Sequence, residues 1–330
     1  MTQSEFLQDL DAFLQEWQND EPTVWVQTSG STGTPKPMQV EKMRMEASAR
    51  LTCSFLGLKE GDSALLCMPL QYIAGKMVVV RSLVAGLNLI PVTPSGHPLK
   101  DMKEAPTFAA MIPMQVYNTL QVPEERAKLM EIKHLIIGGG AIDDSLANEL
   151  KSFPNQVWST YGMTETLSHI ALRRLNGTDA SDWYTPFDNV RIRLSEEGTL
   201  IIHAPNVCAE ELTTNDIAEI NEEGKFRILG RKDNTINSGG VKIQIEQVES
   251  RLKKHINTPF LISARKDAKF GEIVVLIYNK VGNEENIRRI CESELPTYWV
   301  PKAYIAVDEL PMTGTGKPDR ASARRIAHGK

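Results

Sequence analysis

Residues 24–37 read Val-Trp-Val-Gln-Thr-Ser-Gly-Ser-Thr-Gly-Thr-Pro-Lys-Pro, and no other stretch constrains the chain as strongly. A short alternating apolar run ends at Gln27. Thr28, Ser29, Gly30, Ser31, Thr32, Gly33 and Lys36 then bring hydroxyls, open backbone and an ammonium into one segment. The order predicts a strand feeding a mobile loop, and a loop rich in N–H and O–H donors with a terminal cation suits phosphate oxygens. A flexible Gly/Ser/Thr turn has the same composition, so the residues alone leave both readings open. Two common phosphate loops are excluded by spacing. A Walker A loop needs a second glycine five positions after the first, then Lys and Ser/Thr; counting from Gly30, Pro35 takes the glycine position and Pro37 the hydroxyl position. No Gly-x-Gly-x-x-Gly opens a helix, which removes the dinucleotide fingerprint.

With 330 residues the chain has room for two domains and a substantial core. Its net charge of −5 argues against a nucleic-acid partner. Cys53, Cys67, Cys208 and Cys291 are scattered without a Cys-x-x-Cys pair, so the expectation is reduced thiols rather than a zinc site or disulfide framework. The longest apolar run, Met77 to Ile90, is broken by Arg81 and Asn88 and is too short to span a membrane. The N-terminus has neither a basic start nor an apolar signal core. The reading is a soluble, cytoplasmic protein.

Leu7, Leu10, Leu14 and Trp17 recur at helical spacing within residues 4–17 and predict an amphipathic helix. Residues 43–56 read as a second helix and 62–68 as a buried strand. Pro69-Leu70-Gln71-Tyr72-Ile73-Ala74-Gly75-Lys76 then interrupts the pattern; Lys76 and Arg81 are two cations in an apolar setting that need partners, either a structural ion pair or a carboxylate-bearing substrate. Strands at 108–113 and 134–137 flank a helix at 123–130, a βαβ-type alternation. The second of these strands runs into Gly138-Gly139-Gly140-Ala141, where glycines permit close backbone approach of a ligand. A further strand at 157–160 ends in Tyr161-Gly162-Met163-Thr164-Glu165-Thr166, again placing polar and aromatic residues where open α/β sheets bind ligands. His169 stands nearby; a lone histidine more often serves the core or surface, and it receives no role here.

From residue 186 the texture changes to hairpins, 190–194 with 200–202 and 217–220 with 226–229, a small antiparallel unit. Asp216 follows Thr214-Asn215 in a turn-like setting. Arg231-Lys232-Asp233 and Ser238-Gly239-Gly240 lie between two apolar runs, as an interdomain linker does. The remainder alternates helices at 246–255 and 284–295 with strands at 261–264, 273–278 and 304–307, and closes on Leu310-Pro311-Met312-Thr313-Gly314-Thr315-Gly316-Lys317.

Taken together these segments resemble, in order, the motifs of the adenylate-forming superfamily, which includes acyl-CoA synthetases, luciferases and peptide-synthetase adenylation domains. The match runs from the Thr-Ser-Gly-Ser-Thr-Gly-x-Pro-Lys loop at 28–36 to the Leu-Pro-x-Thr-x-x-Gly-Lys signature at 310–317. The resemblance implies an α/β multidomain fold: a mixed sheet, a small antiparallel β unit and a mobile α+β C-terminal domain. Its division would be a large ATP- and acyl-binding domain over 1–230, a hinge over 231–233 and a small domain over 234–330. A long N-terminal subdomain normally precedes the phosphate loop, so the chain reads as truncated at its front, a gap that a second copy in a homo-oligomer could cover.

The same resemblance implies the roles. Residues 28–33 and Lys36 would grip the β/γ-phosphates; Gly138, Gly139, Gly140, Ala141, Tyr161 and Gly162 would hold adenine. Thr164 would reach the α-phosphate and Glu165 magnesium. Asp216, after Asn215 where the family has Gly, would bind ribose, and Arg231 ribose or phosphate, with Asp233 as pivot. Ser238, Gly239 and Gly240 would lie beside the pantetheine tunnel of coenzyme A. Tyr72, at a position the family gives to His, would border the acyl pocket with Lys76 and Arg81. Lys317 would contact carboxylate and α-phosphate during adenylation. ATP, Mg2+ and coenzyme A are the implied co-substrates and cofactor, and a small aromatic acid with an extra charge the implied substrate. A benzoate or medium-chain acid is the alternative within the class, and a nucleotide-binding relative without turnover the alternative outside it.

Overall fold

The computed structural model describes residues 1–27, 37–140, 142, 144–312 and 318–329. The chain divides into two compact units. One comprises Met1–Arg193, Ile201–Leu212 and Ile220–Phe226; the other comprises Leu194–Leu200, Thr213–Glu219 and Arg227–Lys330.

The first unit opens with α1 (Gln3–Gln18), started by a capping box: Glu5 N donates to Thr2 Oγ1 at 3.2 Å while Thr2 N donates to Glu5 Oε2 at 2.6 Å. Its buried face is Phe6, Leu10 and Phe13. Leu7 is 39% exposed, so the stripe expected through Leu7 and Leu14 is turned by about one residue. The aromatics decide the turn: Phe13 packs against Trp17 with ring centroids 6.1 Å apart and lies under the Lys76 ammonium at 4.6 Å. Strands β1 (Thr23–Gln27) and β2 (Pro37–Glu41) pair as an antiparallel hairpin, with Gln27 opposite Pro37 at the base of the 28–36 segment. Val24 and Val26 point inward and Trp25 outward, the alternation read from the sequence.

There follow α2 (Lys42–Leu56), β3 (Ser63–Leu66), α3 (Ile73–Ala85), β4 (Asn88–Pro91), β5 (Phe108–Met111), α4 (Pro113–Leu120), α5 (Pro123–Glu131), β6 (His134–Ile137), α6 (Asp144–Leu150), β7 (Gln156–Gly162), β8 (His169–Arg174) and β9 (Thr185–Pro186). Glycines at φ 67° and 63°, Gly57 and Gly86, end α2 and α3 as left-handed caps. The apolar run from Met77 thus bends out of α3 at Gly86 into β4, and among the described residues no helix is long and apolar enough to cross a membrane. The strands form a mixed sheet in the order β4-β3-β5-β6-β7-β8-β9, parallel from β4 to β7 and antiparallel beyond. Because β3 feeds β4 on one side and β5 pairs on its other side, strand order reverses at β3, a topological switch point.

Residues 191–231 contribute β10 (Arg191–Leu194), β11 (Thr199–His203), β12 (Leu212–Ile220) and β13 (Phe226–Arg231), a four-stranded sheet in sequence order.

The second unit continues with β14 (Thr235–Ser238), β15 (Val241–Gln244), α7 (Ile245–Lys253), β16 (Phe260–Asp267), β17 (Gly271–Asn279), α8 (Glu284–Glu294), β18 (Ala303–Val307) and α9 (Arg320–Ala327). The sheet runs β15-β14-β17-β16, with β18 parallel to β17. Period-two alternation along β17 supplies both faces: Val274, Leu276 and Tyr278 join Val248, Leu252, Ile287 and Cys291 in one core, while Ile273, Val275 and Ile277 join Ala323 and Ala327 of α9 in the other. Glu249 and Arg320 pin α9 to this body by a two-pronged pair at 2.6 and 2.8 Å, with Glu249 Oε1 also accepting from Ile262 N at 2.8 Å.

Candidate active site

In the first unit the parallel strands β3, β5, β6 and β7 end on one sheet edge, and three of the segments singled out from sequence follow from it: Pro69–Lys76 after β3, Gly138–Gly140 after β6 and Tyr161–Thr166 at the end of β7. Gly138 N donates to Met111 O at 3.0 Å, and a Cβ there would lie 2.3 Å from Thr160 Oγ1, so the absent side chain lets the end of β6 lie against β7. Gly139, at φ 77°, turns the backbone away, and Gly139 and Gly140 are exposed.

Tyr161 packs edge-on against Phe226 with centroids 5.0 Å apart and tilts against Tyr184 at 5.9 Å. Tyr184 itself stacks on Phe226 at 5.5 Å and shares a 2.8 Å hydrogen bond with Ser159 Oγ. The Tyr161 ring is therefore held by packing rather than left to rotate. The β7–β8 register slips between Tyr161 and Gly162, and a Cβ on Gly162 would lie 2.2 Å from Ser168 O and 2.5 Å from His169 Cα. Only glycine fits this bulge.

A single 3₁₀ turn, Thr164–Thr166, follows, closed by Leu167 N donating to Thr164 O at 2.9 Å. Thr166 Oγ1 accepts from Met163 N at 3.0 Å and donates to Ser168 O at 2.7 Å. Leu167, buried at φ 64°, is a non-glycine residue in strained backbone of the kind surrounding structure must enforce. Thr164 is buried and Glu165 exposed. Among the described residues no group of three or more His, Cys, Asp or Glu could hold a metal ion. Glu165 therefore fits a magnesium ion only as one carboxylate beside phosphate oxygens and water, the usual manner for this cation.

The Pro69–Lys76 segment lies beside β1: Gln27 N donates to Gln71 O at 3.2 Å, and Gln27 bridges to Tyr72. Tyr72 caps α3 half-buried, and Gly75 lets the helix approach Pro69, whose O would sit 2.5 Å from a Cβ. The two cations of α3 meet different fates. Lys76 Nζ donates to Glu16 Oε2 at 3.0 Å and to Trp25 O at 2.7 Å. Its charge is met inside the protein, the structural alternative, because a glutamate sixty positions earlier folds onto it. Arg81 is 2% exposed and has no carboxylate within ion-pair distance among the described residues. Nη2 donates to Ser168 Oγ at 2.7 Å, and buried Nε–H has no partner there. Burial pushes its pKa down to about 10.

In the second unit Arg231 grips Asp233 with two prongs at 2.9 and 3.0 Å and reaches Asp216 at 3.4 Å. Asp233 raises the arginine pKa above its already high value. Asp216 lies within β12 rather than in a turn, so extended backbone accommodates Asn215 without a glycine. Thr214 Oγ1 accepts from Asp216 N at 3.1 Å and donates to Leu200 O at 2.8 Å. Gly239 and Gly240, at φ 58° and 84°, form the two-residue turn between paired Ser238 and Val241, where successive positive φ values demand glycine. Residues 28–36, Ala141 and Lys317 lie outside the described residues. Ser168 and Thr52 carry no signal in the sequence beyond ordinary polar residues, and His169 none beyond its place just after the Tyr161–Thr166 segment.

A family model described as AMP-binding enzyme matches residues 3–208, and one described as AMP-binding enzyme C-terminal domain matches residues 261–317. The chain belongs to the AMP-binding enzyme family. Its similarities are more particular than that. An acyl-CoA synthetase (AMP-forming)/AMP-acid ligase II-like protein from Dyadobacter fermentans is 32% identical, with a TM-score of 0.67 over 96% of this chain and 93% of that one. A 2-succinylbenzoate–CoA ligase from Bacillus mycoides is 27% identical over 96% of this chain and 73% of its own length. The o-succinylbenzoate CoA synthetase of Bacillus subtilis, in complex with its acyl-adenylate intermediate, shares the fold at a TM-score of 0.75 and 24% identity, over 91% of this chain and 68% of that one.

Proposed function

We propose that this AMP-forming acid–CoA ligase takes an acid with a second carboxylate, o-succinylbenzoate, and makes o-succinylbenzoyl-CoA, a step of menaquinone biosynthesis. One observation carries the substrate choice: Arg81 is a buried guanidinium that no carboxylate of the described residues neutralises. An unpaired buried cation costs several kcal/mol by general estimate, and a substrate carboxylate is the partner that would repay it. Lys76, already paired with Glu16, is left out of this role. Relatives named for this acid support the same choice.

The reaction follows in two steps. A carboxylate oxygen of the acid attacks the α-phosphorus of ATP; the bond to pyrophosphate breaks and an acyl-adenylate forms. The thiolate of coenzyme A then attacks the acyl carbonyl, AMP departs, and the thiol proton passes to solvent. Gly138–Gly140 and the packed Tyr161 ring receive adenine, Thr164 the α-phosphate, and Asp216 with Arg231 the ribose. Glu165 would hold a magnesium ion, which when bound would supply charge neutralisation. Residues 28–36 grip the outgoing pyrophosphate, and Lys317 serves the first step. Asp233 is the pivot between steps, and Ser238–Gly240 face coenzyme A in the second.

Replacing Arg81 by Met tests the substrate reading. The KM for o-succinylbenzoate is expected to rise about a hundredfold, as befits loss of a buried charge contact, with the KM for ATP within about threefold. Steady-state adenylation kinetics measure both, and an unchanged o-succinylbenzoate KM in folded R81M would overturn the assignment.

A further inference from the structure

We infer that His169, as a neutral imidazole protonated on Nε2, is a positioning residue that fixes the Arg81 guanidinium through Ser168 and anchors it to α2 through Thr52. The inference rests on the reading of Arg81 as receiver of the substrate's second carboxylate.

His169 is 6% exposed at the start of β8, just past the strained turn at Leu167. Its Nδ1 lies 3.2 Å from Ser168 Oγ and its Nε2 lies 3.0 Å from Thr52 Oγ1. The chain of bonds has two fixed ends. At one end Arg81 can only donate, so Ser168 Oγ accepts from Nη2 at 2.7 Å and its single proton is left for His169 Nδ1. At the other end Ser48 O can only accept, so Thr52 spends its proton there at 3.2 Å and must accept from His169 Nε2. The Thr52 end sets the tautomer, and Ser168, which keeps its own proton after accepting from Arg81, suits the bare Nδ1 that results. The Phe187 ring, edge-on at 5.5 Å, holds the imidazole plane.

A second proton on His169 would turn Nδ1 into a donor, take away the acceptor of the Ser168 proton and set a second buried positive charge beside Arg81. Burial first, and the Arg81 charge second, accordingly keep the histidine pKa well below its ordinary value. The result is a guanidinium tethered by one prong, with its Nε–H unspent and held in one orientation. Arginine carries large rotamer freedom, and fixing it beforehand lowers the cost of binding an anion.

The test uses the full-length enzyme with o-succinylbenzoate and ATP. His169→Leu, which keeps volume and deletes both polar contacts, is expected to raise the KM for o-succinylbenzoate at least tenfold while leaving the KM for ATP within about threefold. Thr52→Val, nearly isosteric, should move the same constant in the same direction by about threefold or more. His169→Gln, with an acceptor and a donor on one side chain, should restore the acid KM to within about threefold of wild type, a rescue that a merely structural role would not show. Nitrogen-15 spectra of the imidazole in free enzyme should report Nε2–H and bare Nδ1. An Nδ1–H tautomer, or folded His169→Leu and Thr52→Val with unchanged acid KM while Arg81→Met raises it, overturns the inference alone. Unchanged acid KM in Arg81→Met overturns the reading beneath it.

Discussion

Lys317→Ala is expected to lower acid-dependent adenylation about a thousandfold, the scale lost when a preorganised charge at a transition state is removed, and to spare thioester formation from supplied acyl-adenylate and coenzyme A. The first step brings two anionic groups together, the attacking carboxylate and the α-phosphate; the second, attack of sulfur on the carbonyl of a formed adenylate, has no such pair to neutralise. The flanks of the 313–317 segment explain why the substitution should act on chemistry rather than on folding. Met312 pairs with Pro318, Asp319 N donates to Pro311 O at 2.9 Å, and Asp319 caps α9. Arg320 is locked on Glu249 one residue further on. None of these contacts involves the lysine ammonium. Rapid-quench measurement of the two half-reactions separates them, and equal loss of both would contradict a step-specific role.

Gly162→Ala carries the second large effect, and it reaches the site through the backbone. The new Cβ would stand 2.2 Å from Ser168 O and 2.5 Å from His169 Cα, so the bulge between β7 and β8 would have to open. Overpacking of this kind costs about 3 kcal/mol or more because no side chain can rotate away. A fall of roughly 6–12 °C in the melting temperature of the first unit is expected, together with loss of ATP binding as Thr164 and Glu165 shift. Thermal denaturation and nucleotide titration check the two parts. Gly138→Ala provides the contrast: its Cβ would meet the Thr160 side chain at 2.3 Å, so adding Thr160→Ala should recover most of the stability lost. Rescue of Gly162→Ala by any single side-chain truncation would contradict the backbone account.

The distribution of what could be read from sequence follows from the range of the forces involved. The strand ends at Gly138 and Tyr161 were legible because buried apolar runs stop abruptly at glycine and polar residues, a local pattern. The α4 helix was hidden because Pro113 reads as the end of a strand expected over 108–113, whereas the strand stops at Met111 and Pro113 occupies the first helical turn, where its missing N–H costs nothing. Strand β8 was obscured because its apolar run, Ile170–Leu172, is short and ends in Arg173 and Arg174; both arginines are held by ring contacts, to Tyr184 at 5.4 Å and Trp158 at 5.1 Å. The partner of Lys76 was out of reach for a different reason. No local rule ties Glu16 to residue 76, and only the packing of α1 against α3 brings them together. Two cations of equal standing in the sequence thus separate into one paired with Glu16 and one with no carboxylate partner among the described residues.

Acid activation at the α-phosphate is the central step of the proposed reaction. The direct measurement is exchange of labelled pyrophosphate into ATP by the full-length enzyme, with o-succinylbenzoate, benzoate and a medium-chain fatty acid supplied separately. Exchange dependent on o-succinylbenzoate, and at least tenfold weaker with either monoacid, is expected. Absence of exchange with every acid would contradict the proposed reaction.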